Sequence, residues 1–185
     1  MEKEQIVKEI LWWVKSLVII FAIVIIITQK FVVLAKVPTG SMLNTIKEQD
    51  LVMADRLAYK DEDPKRGDIV IFYAPDEQDK LYIKRVIGLP GDKVVIDNAQ
   101  IYINDSPKPL DEPYLKEEWV INAGYYEFDV PDNCYLMLGD NRNSSLDSRV
   151  WENTYVNRNA IIAKAKCVYF PFNHIKSLNQ NENNY

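Results

Sequence analysis

Three polar segments of this 185-residue sequence carry side chains that could perform chemistry. The first, residues 38–42 (PTGSM), presents Ser41 directly after a glycine and a predicted strand. A serine on such a tight turn can expose its hydroxyl as a nucleophile, although an isolated Gly-Ser is more often a helix cap. Ser41 therefore needs a base from elsewhere in the chain before the sequence predicts catalysis.

The second segment, residues 81–87 (LYIKRVI), offers that base. A strand's period of two places Tyr82, Lys84 and Val86 on one face, so the lysine has apolar and aromatic neighbours. Burial lowers the pKa of a lysine, and a neutral lysine can take a proton from a serine. An exposed strand lysine is the competing interpretation. The only histidine, His174, lies near the C-terminus and is the other candidate base.

The third segment, residues 139–149 (GDNRNSSLDSR), follows an apolar run at residues 135–138. Its density of hydroxyls, carboxylates and arginines predicts either a hydrogen-bonded network or a solvated turn. The segment by itself does not distinguish these two interpretations.

In this order, the segments resemble the motifs of type I signal peptidases, membrane-bound serine proteases that remove signal peptides. The nucleophile motif S-x-S-M-x-P-T reads TGSMLNT at residues 39–45, with Thr39 for the first serine and Asn44 for the proline. The motif R-G-D-I-V-x-F matches residues 66–72, and K-R-x-x-G-x-P-G-D matches residues 84–92. The motif G-D-N-R-x-x-S-x-D-S-R is intact at residues 139–149. The resemblance covers roughly residues 10–172 and is closest to the smaller, Gram-positive type.

The resemblance implies a role for each of these residues. Ser41 would be the nucleophile, Lys84 the general base, and the Ser41 N–H and Thr39 hydroxyl the oxyanion hole. Residues implied to orient the lysine or hold its loop are Ser145, Asp147, Arg149 and Asp140. Residues implied to contact the substrate are Val37, Pro38, Met42, Tyr82, Ile83 and Val86. The substrate would bind as an added strand beside residues 36–38 and 81–83, with small side chains at −1 and −3.

The elements that must position these groups begin with an apolar segment at residues 10–28. As a helix it spans about 28 Å, close to a bilayer core of about 30 Å. Trp12 and Trp13 suit a membrane interface, and Lys15 can extend to the headgroups. The absence of an A-x-A-like pattern after Thr28 disfavours a cleavable signal peptide. A buried core helix is disfavoured because the segment is apolar all round. We expect an uncleaved membrane anchor at residues 10–30.

Lysines near both ends leave the orientation of this helix open. The resemblance implies a single-pass protein of the cell membrane, with the N-terminus cytoplasmic and the catalytic domain extracytoplasmic. The expected divisions are a short tail at 1–9, the anchor at 10–30, a β-rich catalytic domain at 31–174 and a polar tail at 175–185.

Beyond residue 36 the dominant period is two, and the sequence is rich in Val, Ile, Tyr and Phe. This predicts a mostly β chain, an antiparallel sheet or barrel-like domain behind one transmembrane helix. The expected strands are 31–37, 50–55, 68–73, 81–87, 93–97, 100–104, 135–138 and 160–170. A hairpin should turn at residues 97–98, and a short helical turn should cover residues 41–46. Residues 179–185 should fray.

Composition excludes several other classes. The net charge is −5, which disfavours a nucleic-acid partner. Two cysteines and one histidine cannot make a four-ligand structural zinc site without carboxylates, so we expect no metal. We also expect no cofactor. Cys134 and Cys167 could form a disulfide, but buried free thiols are favoured.

The expected partners are preproteins that carry signal peptides, and the lipid bilayer. Two other functions stay open from the sequence. One is a non-enzymatic bitopic protein that displays a β-domain for binding or assembly. The other is a Ser–Lys leader peptidase dedicated to one substrate class, of the pilin or conjugation type.

Overall fold

The computed structural model describes residues 2–115 and 117–179, and begins with one long helix, α1 (Glu2–Lys30). Within Glu4–Lys30 an 18-residue window has a mean hydropathy of 2.8, and no part of that window is buried in the described structure. An exposed apolar surface of this length requires an apolar solvent, so α1 has the character of a membrane anchor. The expected anchor at 10–30 lies inside α1, which also includes residues 2–9 of the expected tail.

Within the described residues eleven strands follow the helix, and all of their pairings are antiparallel. They are β1 (Val32–Lys36), β2 (Leu51–Asp55), β3 (Ile69–Tyr73), β4 (Leu81–Gly88), β5 (Lys93–Asp97), β6 (Gln100–Ile103), β7 (Tyr126–Asp129), β8 (Cys134–Leu138), β9 (Val156–Asn157), β10 (Ile161–Phe170) and β11 (Lys176–Ser177). The larger sheet has the order β1-β2-β10-β3-β4-β8-β9, with β11 also paired to β10. The smaller sheet has the order β6-β5-β7. The mostly β prediction is confirmed.

The part of the core nearest the polar segments lies along the middle of the larger sheet. The apolar sequence of β3 (IVIFY) is buried at four of its five positions, because β10 and β4 flank it and side chains cover both faces. The second half of β4, residues 84–88, is also buried. A charged side chain on this part of β4 therefore enters a water-poor interior, which sets the environment of Lys84.

Two predicted turns lie close to their expected positions. In the β5–β6 hairpin Asp97 pairs with Gln100, so the turn falls at Asn98 and Ala99, one residue later than expected. Both residues have positive φ, as a two-residue hairpin turn of the I′ type requires. Residues 41–46 form turns with one helical hydrogen bond, from Ile46 N to Met42 O at 2.7 Å.

The C-terminal region adds a strand that the sequence did not predict. β11 pairs with β10 inside the expected polar tail, whereas residues 180–185 lie outside the described residues. Cys134 on β8 and Cys167 on β10 are free and half-buried. Two strands separate β8 from β10, a spacing of about 14 Å that no disulfide can bridge.

Candidate active site

Ser41 lies in the loop between β1 and β2. Backbone hydrogen bonds close the base of this loop, from Val37 N to Asp50 O (2.9 Å) and from Gln49 N to Val37 O (2.7 Å). Asn141 fixes its tip, because its backbone N donates to Ser41 O (3.0 Å) and its side-chain Nδ2 donates to Gly40 O (2.9 Å). The serine is 6% exposed. The backbone that carries this hydroxyl is therefore held both at the base of the loop and at its tip.

Lys84 lies on β4 and is 4% exposed. Its Nζ donates a hydrogen bond to Ser145 Oγ at 3.0 Å. Burial lowers the pKa of Lys84 to about 8, against the opposing charges of Asp147 and Asp140 and with a contribution from Arg149. At pH 7 about one molecule in ten then has a neutral amine, compared with about one in 2,500 for a free lysine.

Asp147 and Arg149 form a fully buried ion pair next to Ser145, with Arg149 Nε 2.8 Å from Asp147 Oδ1. The second carboxylate oxygen accepts from Gly139 N at 3.0 Å. Burial alone would raise the pKa of Asp147, but the hydrogen bonds and charge of Arg149 outweigh it and lower this pKa. The ionised carboxylate of Asp147 therefore joins the two ends of the loop that carries Ser145, at Gly139 and Arg149.

Asp140 joins this loop to two other elements. Arg85 donates to both of its carboxylate oxygens, from Nε to Oδ1 at 2.8 Å and from Nη2 to Oδ2 at 2.6 Å. Thr45, on the loop that carries Ser41, also donates to Oδ2. Sequence reasoning missed Arg85 and Thr45. The available signal was an arginine inside an apolar strand, since a buried guanidinium requires a carboxylate partner.

His174 takes no part in this arrangement. Its Nδ1 lies 2.8 Å from Asp50 Oδ1 and its Nε2 lies 3.4 Å from Lys47 Nζ. Residues 2–115 and 117–179 contain no group of three or more His, Cys, Asp or Glu side chains that could hold a metal ion.

A cavity of about 610 Å³ opens at Ser41 and Lys84, and both residues line it. The other lining residues are Val37, Pro38, Thr39, Lys80, Leu81, Tyr82, Ile83, Ser144 and Leu146. Four of the six expected substrate contacts are in this set. Met42 and Val86 are fully buried in core clusters and are not among the lining residues.

Thr39 Oγ1 donates to Ser41 Oγ across 3.5 Å. The hydrogen bonds of the described residues do not include one between Ser41 Oγ and Lys84 Nζ. Such contacts are often long without substrate and shorten when the substrate binds.

The model of the signal peptidase family, peptidase S26, matches residues 10–170. The chain belongs to the type I signal peptidases. It is 32% identical to a signal peptidase I of Bacillus amyloliquefaciens, covering 95% of this chain and 97% of that protein. It is 34% identical to a signal peptidase IB of Staphylococcus aureus, covering 91% and 94%. A probable signal peptidase I-2 of Synechocystis is 36% identical, and the alignment covers 73% of this chain and 62% of that protein.

These matches confirm three predictions. The peptidase is a serine endopeptidase that removes signal peptides. It is a membrane protein, and its long apolar helix suits the anchor. It is close to Gram-positive forms over nearly its whole length. The non-enzymatic bitopic protein is therefore the wrong interpretation.

Proposed function

We propose that Ser41 is the nucleophile of this signal peptidase and Lys84 its general base. The observation that carries the proposal is the buried Lys84 amine, which shares a cavity with Ser41, has a lowered pKa and is hydrogen-bonded to Ser145. Neutral lysine is the form that can accept a proton, and desolvation favours that form. The histidine alternative loses support because His174 pairs with Asp50.

In this mechanism the neutral Lys84 amine takes the Ser41 hydroxyl proton as Oγ attacks the scissile carbonyl carbon. The tetrahedral intermediate collapses when the Lys84 ammonium returns that proton to the leaving amine, which leaves an acyl-enzyme. Lys84 then accepts a proton from water as the water oxygen attacks the ester carbonyl. The second tetrahedral intermediate collapses when the Lys84 ammonium gives this proton to Ser41 Oγ, which releases the signal peptide with a new carboxyl group. The base ends each cycle neutral.

The developing oxyanion requires donors that are already in place. We assign these to the Ser41 backbone N–H and the Thr39 hydroxyl. The hydroxyl already approaches Ser41 Oγ, so it needs only a rotation to face the oxyanion on the carbon that Ser41 Oγ attacks. Threonine keeps the donor of the family's first serine.

The remaining polar residues hold these groups in place. Ser145 fixes the Lys84 amine without a formal charge of its own, so it does not favour the ammonium as a carboxylate would. Asp147 and Arg149 close the loop around Ser145, and Asp140 ties that loop to the Ser41 loop through Thr45.

The substrate is proposed to bind as an extended strand along β4. Among the described pairings, β8 contacts β4 only from Arg85 onward, so residues 81–84 have a strand neighbour on one side, which is β3. The unpaired edge borders the cavity, which Val37 and Pro38 also line. Backbone hydrogen bonds there can hold any sequence, which suits an enzyme with many preprotein substrates.

Specificity is proposed to come from small side chains at −1 and −3 of the substrate. These two positions of an extended peptide face the same side, toward the apolar lining that includes Val37 and Ile83. A signal peptide carries its cleavage site after its apolar segment. The catalytic domain is therefore proposed to face the extracytoplasmic side, with the N-terminus of α1 in the cytoplasm.

The deciding experiment measures cleavage of an A-x-A preprotein by the full-length enzyme in detergent. Ser41→Ala should reduce cleavage to the uncatalysed level, because no other hydroxyl replaces the nucleophile. The variant should keep its unfolding temperature, since the substitution removes one atom from a small side chain. Retained cleavage by a folded Ser41→Ala enzyme would disprove the assignment. Cleavage of one leader class only would favour a dedicated peptidase.

A further inference from the structure

A segment outside the four motifs packs against the loop that carries Ser145. This segment, residues 112–115 and 117–121, lies between β6 and β7, and we call it the strap. Its Glu112 forms an ion pair with Arg142, in which Nη1 lies 3.0 Å from Oε2 and Nη2 donates to Oε1. The side chains are 6% and 2% exposed, so bulk water solvates neither charge. Tyr114 donates a further hydrogen bond to Glu112 Oε1 at 2.7 Å.

Aromatic rings of the strap cover the guanidinium groups of the site. The Arg142 and Arg149 guanidinium carbons lie 4.9 and 5.1 Å from the centre of the Trp119 ring. The Arg85 guanidinium carbon lies 3.8 Å from the centre of the Tyr114 ring. At these distances a cation is attracted to the face of a ring. The strap thus contacts each arginine that holds the loop of Ser145.

The strap is also fastened by its backbone. Asn143 Oδ1 accepts from Val120 N at 2.8 Å and from Ile121 N at 2.9 Å, and Asn143 Nδ2 donates to Glu118 O at 2.8 Å. Asn143 and Arg142 are neighbours in the loop, two and three residues before Ser145. The strap is therefore hydrogen-bonded to the loop next to Ser145, the serine that is hydrogen-bonded to Lys84.

We propose that Glu112 is a positioning residue for the catalytic base, acting through Arg142 on the loop of Ser145. Arg142 Nε donates to Gly139 O (3.1 Å) and its carbonyl accepts from Arg149 Nη2 (2.9 Å), so a shift of Arg142 moves both ends of the loop. Burial alone would lower the pKa of Arg142, and the Glu112 carboxylate outweighs it and raises this pKa. The inference rests on the proposed assignment of Lys84 as the base.

The test is a kinetic cycle of Glu112→Gln, Ser145→Ala and the double variant, with a preprotein as substrate in detergent. Glu112→Gln leaves Arg142 buried without a carboxylate, so kcat should fall about tenfold or more while KM changes less than about threefold. If Glu112 acts through Ser145, the double variant should lose no more than about threefold beyond Ser145→Ala. Glu112→Asp, which keeps the charge, should recover part of kcat.

Asp76→Asn is the matched control. Asp76 also ties one loop to another, through hydrogen bonds from Glu152 N, Asn153 N and Asn153 Nδ2, but it lies outside the cavity lining. It should keep kcat within about twofold of the wild type. If Glu112→Gln does not fold, Asn143→Ala releases the strap without leaving a buried charge, and the same cycle applies to it.

Two results would overturn the inference. One is a wild-type kcat for folded Glu112→Gln. The other is a double variant whose loss of kcat equals the product of the losses in the two single variants. Lys84→Ala in the same assay distinguishes failure of the inference about Glu112 from failure of the proposed function. An active Lys84→Ala enzyme refutes the base itself. An inactive one, beside an unaffected Glu112→Gln, refutes the role of the strap alone.

Discussion

The Lys84 amine lies 3.0 Å from the Ser145 hydroxyl, and both residues are more than nine-tenths buried. A lysine hydrogen-bonded to a neutral hydroxyl in a dry site keeps its position without a carboxylate contact that would hold it protonated. This combination gives an amine that is oriented and also close to the neutral form near physiological pH.

The first prediction concerns the pH dependence of kcat/KM. Burial lowers the pKa of Lys84 to about 8, and in the proposed mechanism the active form is the neutral amine. The rate should therefore rise about tenfold for each pH unit below 8 and level off above it. The measurement is kcat/KM for a preprotein in detergent from pH 6 to 9.5. A flat or falling profile over this range would exclude Lys84 as the base.

Lys84→Arg is the matched variant for that profile. Its guanidinium stays protonated at every working pH, so it cannot accept the Ser41 proton. We expect no cleavage above background even at the pH optimum of the wild type. Measurable turnover with a pH profile like that of the wild type would mean that another group is the base.

The second prediction concerns stability. Because folding lowers the pKa of Lys84 from its ordinary value of 10.5 to about 8, the unfolded chain binds more protons between these values, and the free energy of unfolding rises with pH across this window. Below pH 8 the folded enzyme bears the full cost of burying the ammonium, about 3 kcal/mol.

Lys84→Met should relieve that cost. The variant should unfold at a higher temperature than the wild type at pH 7, and the difference should shrink as the pH rises toward 10. Thermal unfolding of both proteins in the same detergent across this range measures the effect. A variant that is less stable than the wild type at pH 7 would show that the buried ammonium does not destabilise the folded enzyme.

The sequence predicted strands better than contacts. The period of two located eight strands to within one residue of each boundary, because alternation is a local property. β9 and β11 have two residues each, too few to show a period, and exist because longer strands lie beside them. β7 (YEFD) alternates but is only four residues long.

Site residues divide in the same way. Motifs supplied Ser41, Lys84 and Ser145, but the hydrogen bonds to Asp140 from Arg85 and Thr45 join residues 55 and 95 positions apart. Such contacts depend on how strands stack, which periodicity does not encode. Val86 illustrates this: the period places it beside Lys84, yet β8 pairs with β4 from Arg85 onward and the side chain is fully buried.

The third prediction concerns substrate selection. In an extended peptide the side chains at −1 and −3 face one side and the side chain at −2 faces the other. Replacing Ala by Phe at −1 or −3 should reduce kcat/KM about 100-fold or more, because a ring does not fit a site shaped for a methyl group. The same replacement at −2 is the control and should cost less than about tenfold. Equal losses at all three positions would rule out an extended binding mode.

The last prediction concerns Gly139, which lies between the two halves of the site. A Cβ placed on this residue would be 2.2 Å from Ser145 Oγ and 2.5 Å from Ser41 O, which is too close for non-bonded atoms. Gly139→Ala must therefore displace the Ser145 hydroxyl that is hydrogen-bonded to Lys84, the backbone of the proposed nucleophile Ser41, or both. Since a misplacement of about 1 Å can cost about 100-fold in rate, kcat should fall by about that factor.

Gly124→Ala provides the comparison, because a Cβ at Gly124 meets no atom within 4 Å. It should keep the kcat of the wild type, and a wild-type unfolding temperature would show that the added methyl group is harmless there. Pre-steady-state cleavage of a preprotein by both variants measures the chemical step directly. If Gly139→Ala cleaved at the wild-type rate, the Ser41 and Ser145 segments would have to be farther apart in the working enzyme than in this structure. The close packing of Ser41, Gly139 and Ser145 would then not be the arrangement that performs catalysis.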